Sequence, residues 1–139
     1  MLLLFENIVS TLNRSRPADL EEPPADQSFA DVAEMGMLMK RMDIADKRLK
    51  TEGSSSAAFG SKQDMIRHEL SILDTMVHLI GQEGYGYADD EEFLGYANNV
   101  TSAARKARDS LDTGDFESYE LSLSKISTNC QSCHNIYNE

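Results

Sequence analysis

The sequence predicts an all-α protein, an antiparallel up-down-up-down four-helix bundle. Three features lead there. Apolar residues recur three and four residues apart in four separate segments. Clusters of Gly, Ser and acidic residues punctuate those segments. No stretch of useful length alternates apolar and polar residues with period two, as a half-buried strand would. Stripes spaced by threes and fours also suit helices that pack nearly antiparallel.

Residues 1–27 read as an N-terminal extension or linker. A short amphipathic stretch (Leu4, Phe5, Ile8, Val9, Leu12) gives way to Arg16-Pro17 and the acidic Glu21-Glu22-Pro23-Pro24. The bundle domain spans 28–139. Its first helix is expected over 28–52, with Ser28 as N-cap and Phe29, Val32, Gly36, Met39, Met42 and Leu49 on one stripe. Gly53-Ser54-Ser55-Ser56 reads as the loop that ends it. The second helix, over 62–83 behind a Ser61 cap, buries Ile66, Leu70, Leu73, Val77 and Ile80. Gly84-Tyr85-Gly86-Tyr87 breaks the pattern.

The third helix, over 90–113, opens in Asp89-Asp90-Glu91-Glu92, whose negative charge suits a helix N-terminus. Its stripe is Phe93, Ala97, Val100, Ala104, Ala107 and Leu111. Gly114 stops it and Asp115 caps the fourth helix, over 115–137. Phe116, Tyr119, Leu123, Ile126, Cys130, Cys133 and Tyr137 form that helix's stripe. Leu73, Val100, Ala104, Leu123 and Ile126 are expected to be buried together.

At 139 residues the chain makes one domain with a genuine core. Its net charge of −11 argues against a nucleic-acid partner, which needs clustered Lys and Arg. The charge favours basic partners or a solvated acidic surface. Small basic clusters at Lys40-Arg41, Lys47-Arg48 and Arg105-Lys106 read most simply as solvated helix faces. No membrane span is expected: the apolar run Leu2-Leu3-Leu4-Phe5 stops at Glu6 and has no basic residue before it.

Both cysteines of the chain lie in Cys130-Gln131-Ser132-Cys133-His134. This is the spacing that attaches haem c. Each sulfur adds to one haem vinyl group, so the two must leave one face of the backbone about a helical turn apart. The adjacent His134 then reaches the iron as proximal ligand. Three other chemistries compete. A dithiol redox pair normally opens a helix in a βαβ setting, where its pKa is lowered; here the motif ends a helix. Zinc needs about four ligands, and His68 and His78 are not an i,i+4 pair. A disulfide across two residues would constrain little of the unfolded chain. Attachment of haem c takes place outside the bacterial cytoplasm, so an export signal that this chain does not contain is expected.

In an up-down-up-down bundle the end of the fourth helix lies beside the start of the first, the end of the second and the start of the third. His134 is therefore expected level with Phe29 to Gly36, Met76 to Ile80 and Phe93 to Val100. Met35, Met37, Met39 and Met42 crowd the first helix, where Met is both a haem ligand type and an adaptable core filler. By level Met35 is the candidate distal ligand. Val32 would instead leave the iron open, with Gly36 giving room for close approach. His78 flanks the stripe and is expected to be exposed.

The last fifty residues resemble cytochrome c′ and the related class II c-type cytochromes. The acidic turn into Phe93, the alanine-rich third helix, the Gly114-Asp115 break and the ending Cys130-x-x-Cys133-His134-x-x-Tyr137 carry the resemblance. Met35-Gly36 is similar to the family's small-residue step in its first helix. Asn138 departs from it, standing where the family usually has a basic residue. The resemblance implies an exported, periplasmic protein, often a homodimer, with one covalent haem c and His134 as proximal ligand. It implies a distal side either open beneath an apolar residue or filled by a methionine.

Two functions follow: an electron carrier with a redox partner protein, or a binder of a small gas such as nitric oxide or carbon monoxide. A haem-free helical interaction module with a thiol pair is the alternative. No nucleophile–base pair or acid–base couple points to an enzyme.

Overall fold

A computed structural model of the protein describes Ala30 and residues 33–137. The predicted linker 1–27, Ser28, Phe29, Val32 and Asn138 lie outside the described residues. Among those described the protein is all-helical, with no strand. The order is α1 (Met35–Glu52), α2 (Ser56–Ser61), α3 (Gln63–Ile80), α4 (Glu91–Thr113) and α5 (Phe116–Tyr137). A four-helix bundle made of α1, α3, α4 and α5 is compatible with this. No helix among the described residues is long and apolar enough to cross a membrane.

Caps explain most boundaries. The Asp90 carboxylate accepts the Phe93 N–H at 3.0 Å and starts α4. Gly114, at φ +71°, ends it in the left-handed region that a side chain would strain, and the Asp115 N–H reaches back to the Ser110 carbonyl. Asp115 then accepts the Ser118 N–H at 3.0 Å and starts α5.

Three boundaries differ from the sequence pattern. Where the periodicity predicts a helix from Ser28, α1 begins at Met35, behind an extended Glu34 that makes no side-chain cap. The expected Gly53–Ser56 loop leads into α2, for which Ser55 is the cap, its hydroxyl accepting the Ala58 N–H at 3.0 Å. Ser61, expected to cap the second helix, ends α2 instead, and α3 starts at Gln63 and stops at Ile80. Burial of Phe59 explains α2: its ring packs against Phe116 and Tyr119, with centroids 5.5 and 5.1 Å away. No period of three or four signals so short a helix.

The core joins all four long helices. Leu73, Val100, Ala104 and Ile126 are buried together as predicted, with Leu123 half-buried against them. In α1 Met42 and Leu49 of the expected stripe are buried and Met39 is half-buried, but Leu38 and Ala45 join them and Gly36 is exposed.

Polar ties then set which helices meet. Glu69 of α3, only 1% exposed, accepts from Arg41 (2.9 and 3.2 Å) and Arg48 (3.2 Å) of α1. Burial alone would raise this carboxyl's pKa, but the two arginines outweigh it and hold the carboxyl below its ordinary value. Asp74 of α3 takes Arg105 and Arg108 of α4 at 3.2 and 2.6 Å. Arg41, Arg48 and Arg105 therefore bridge helices, while Arg48 and Arg105 remain on exposed faces as expected.

One tie is fully buried. The Tyr119 hydroxyl of α5 donates to the Gly53 carbonyl at the end of α1 at 2.7 Å. Burial pushes this phenol up to about 12. Tyr119→Phe should destabilise the protein by roughly 1–2 kcal/mol, because it removes the bond and strands a buried carbonyl; urea denaturation followed by circular dichroism measures it. The phenol must stay neutral in the fold. Its contribution is full below about pH 10 and is lost as pH rises from 10 towards 12, a loss the Phe variant should lack.

Candidate haem-attachment site

Cys130, Cys133 and His134 occupy the last two turns of α5. Cys130 and Cys133 are free, half-buried thiols packed against the core, and both line one cleft, as does the exposed His134. A spacing of three residues on a helix puts both sulfurs on one face. The cleft holds about 240 Å³. That lies just below the roughly 300 Å³ at which cofactor sites begin. Leu73, Val77 and Ile80 of α3 and Phe93, Ala97 and Val100 of α4 form apolar walls. Asp43, Asp46 and Lys50 of α1 add a charged edge.

The thiols are protonated at neutral pH. Burial, followed by the charges of Asp46 and Cys133, pushes Cys130 up to about 11 despite Lys50. Burial and Asp90 likewise raise Cys133. Nucleophilic cysteines have lowered pKa values, so this is a poor dithiol redox site. The main cause is desolvation rather than the position at a helix C-terminus.

Phe93, 2% exposed, lines the cleft as the sequence suggests. Tyr137 is half-buried; its ring stands edge-on to Phe93 and Tyr87, with centroids 5.3 and 5.4 Å away. Its hydroxyl donates to the Asp90 carboxylate, 3.0 and 2.9 Å from the two oxygens. Burial, then Asp90 and the neighbouring negative charges, push this phenol up to about 12. The Phe93 N–H, followed by the Tyr137 hydroxyl, holds Asp90 below its ordinary value against some desolvation.

The α1 side of the cleft is not the one predicted by level. Met39 and Met42 line it; Met35 is half-buried against the core away from the cleft, and Gly36 is exposed. Among the described residues, a Cβ on Gly36 would meet nothing within 4 Å. Register is the reason. Tyr119 meets Gly53 and Ser127 meets Asp46, at 2.7 and 3.3 Å. Cys130 lies eleven residues beyond Tyr119, and eleven residues before Gly53 is Met42. Both steps span about 16 Å of helix. Met35 lies about 10 Å further along α1 than Met42.

Asp90 as the partner of Tyr137 is legible only in retrospect: a half-buried Tyr needs an acceptor, and the third helix's cap lies at the same end. His78 is exposed and contacts Gln82. Comparison with family models, with curated proteins and with solved structures yields no match.

Alkylation of Cys130 in the haem-free protein should follow a pKa near 11 rather than the ordinary thiol value. Mass spectrometry of iodoacetamide-treated protein across pH measures this. A midpoint below pH 9 would contradict the burial argument.

Proposed function

We propose that the protein is a monohaem c-type cytochrome of the cytochrome c′ type, built on an up-down-up-down antiparallel four-helix bundle. One observation carries this: the two thiols of Cys130-x-x-Cys133-His134 open into the same apolar cleft, with the imidazole beside them. The contacts Tyr119–Gly53 and Tyr137–Asp90 support the topology, since each links helix ends that such a bundle brings together, and Ser127–Asp46 continues the same α1–α5 register within the helices.

Cys130 and Cys133 would hold the group through thioethers, and His134 would be its proximal ligand. Haem supplies a one-electron iron centre whose potential follows axial ligation and burial. The chain's own part is to exclude water with Leu73, Val77, Phe93 and Val100 and to keep both thiols protonated until attachment.

On the distal side, the thioethers of Met39 and Met42 at the cleft favour an electron carrier with a methionine ligand. The surrounding apolar side chains support the other function, binding of a small gas at an open iron. Attachment of haem c implies export to the periplasm, and the resemblance implies a homodimer and a redox partner protein for the carrier.

Expression with haem-attachment machinery should add the mass of one haem that survives denaturation. Cys130→Ala with Cys133→Ala should abolish it, and His134→Ala should keep the covalent group but change its visible spectrum. Haem retained through denaturation by the double variant, or none on the unmodified protein, overturns the assignment. A low-spin spectrum that turns high-spin in Met42→Leu or Met39→Leu supports the carrier. A high-spin spectrum that responds to carbon monoxide supports the gas binder.

A further inference from the structure

The last turn of α5 carries Cys133 and His134, and among the described residues Cys133 and Tyr137 pack inward while the three residues between them face outward. His134, Asn135 and Ile136 are exposed, and the Gln131–Asn135 hydrogen bond runs along the helix rather than to a neighbour. The final carbonyls of a helix have no partner within it, so an untethered last turn frays. Tyr137 supplies a tether through its hydroxyl to both oxygens of Asp90.

Asp90 is itself fixed twice. Its carboxylate accepts the Phe93 N–H, and its own N–H donates to the Tyr87 carbonyl at 3.0 Å. The Tyr87 ring stacks on buried Phe93 at 4.3 Å. Ser, Thr or Asn would cap α4 as well as Asp does. Only a carboxylate offers one oxygen for the cap and another, charged, for the phenol.

We infer that Asp90 is a positioning residue for the attachment turn, acting through the Tyr137 hydroxyl to hold Cys133 and His134 at the cleft. Its use rests on the haem assignment above; its geometry does not. Asp90 touches neither thiol nor imidazole through a hydrogen bond, so it acts only through Tyr137. The clasp links residues 47 apart in sequence, at the point where the start of α4 meets the end of α5.

Tyr137→Phe keeps the ring and drops the bond, while Asp90→Ser keeps the α4 cap and drops the second acceptor. In the haem-free protein, amide hydrogen exchange over 130–137 and iodoacetamide alkylation of Cys133 should each speed up about fivefold in either variant. The double variant should be no faster than the singles, and exchange over 100–107 of α4 should not change. If Asp90→Ser loosens α4, Tyr137→Phe alone carries the result. In haem-loaded protein, the iron–histidine vibrational band should shift or broaden in Tyr137→Phe. Unchanged exchange and alkylation in Tyr137→Phe, an unmoved band, or single effects that add in the double variant would overturn the inference. A protein that takes up no covalent haem would defeat the haem assignment, and the exchange and alkylation results would still decide the clasp.

Discussion

The buried hydrogen bond from Tyr119 to the Gly53 carbonyl is the constraint from which the rest of the molecule is counted. A phenol with no solvent exposure must find an acceptor, and the last carbonyl region of α1 offers one. Once that pair is made, α5 cannot slide along α1 without stranding both groups. The helix rise then carries the constraint to the other end. Eleven residues on from Tyr119 the thiol of Cys130 reaches the cleft, and eleven residues back from Gly53 so does Met42.

Burial and charge cooperate at the cleft. The apolar walls that would keep water from a cofactor also keep the two thiols protonated, since a thiolate there would be poorly solvated. Asp46 and Asp90 add negative charge and act in the same direction. The charged groups that are deeply buried are paired, as Glu69 is with Arg41 and Arg48. Arginine bridges tie α1 to α3 and α3 to α4, while the ion pairs at the cleft, Lys50–Asp46 and Lys47–Asp43, lie along its α1 edge and its walls are core side chains.

Local features of the chain were well marked. Asp90, Gly114 and Asp115 act as the cap, stop and cap that their residue types suggest, because those roles depend on a few neighbouring backbone groups. The short α2 was not marked. It exists because Phe59 finds Phe116 and Tyr119, more than fifty residues away. The bridging of Arg41, Arg48 and Arg105 was unmarked for the same reason, since their carboxylate partners lie on another helix.

The sequence by itself determined the helical class, the core of α3 and α4, and the Cys130-x-x-Cys133-His134 spacing that puts two sulfurs on one helix face. Periodicity and spacing are properties of a single helix, written in residues at most a few turns apart. Tertiary structure alone decided that Met39 and Met42, not Met35, line the cleft, and that Asp90 receives the Tyr137 hydroxyl. Both depend on register between helices. Bonds between residues 66 and 47 apart set that register, and no local pattern encodes a distance between two separate helices.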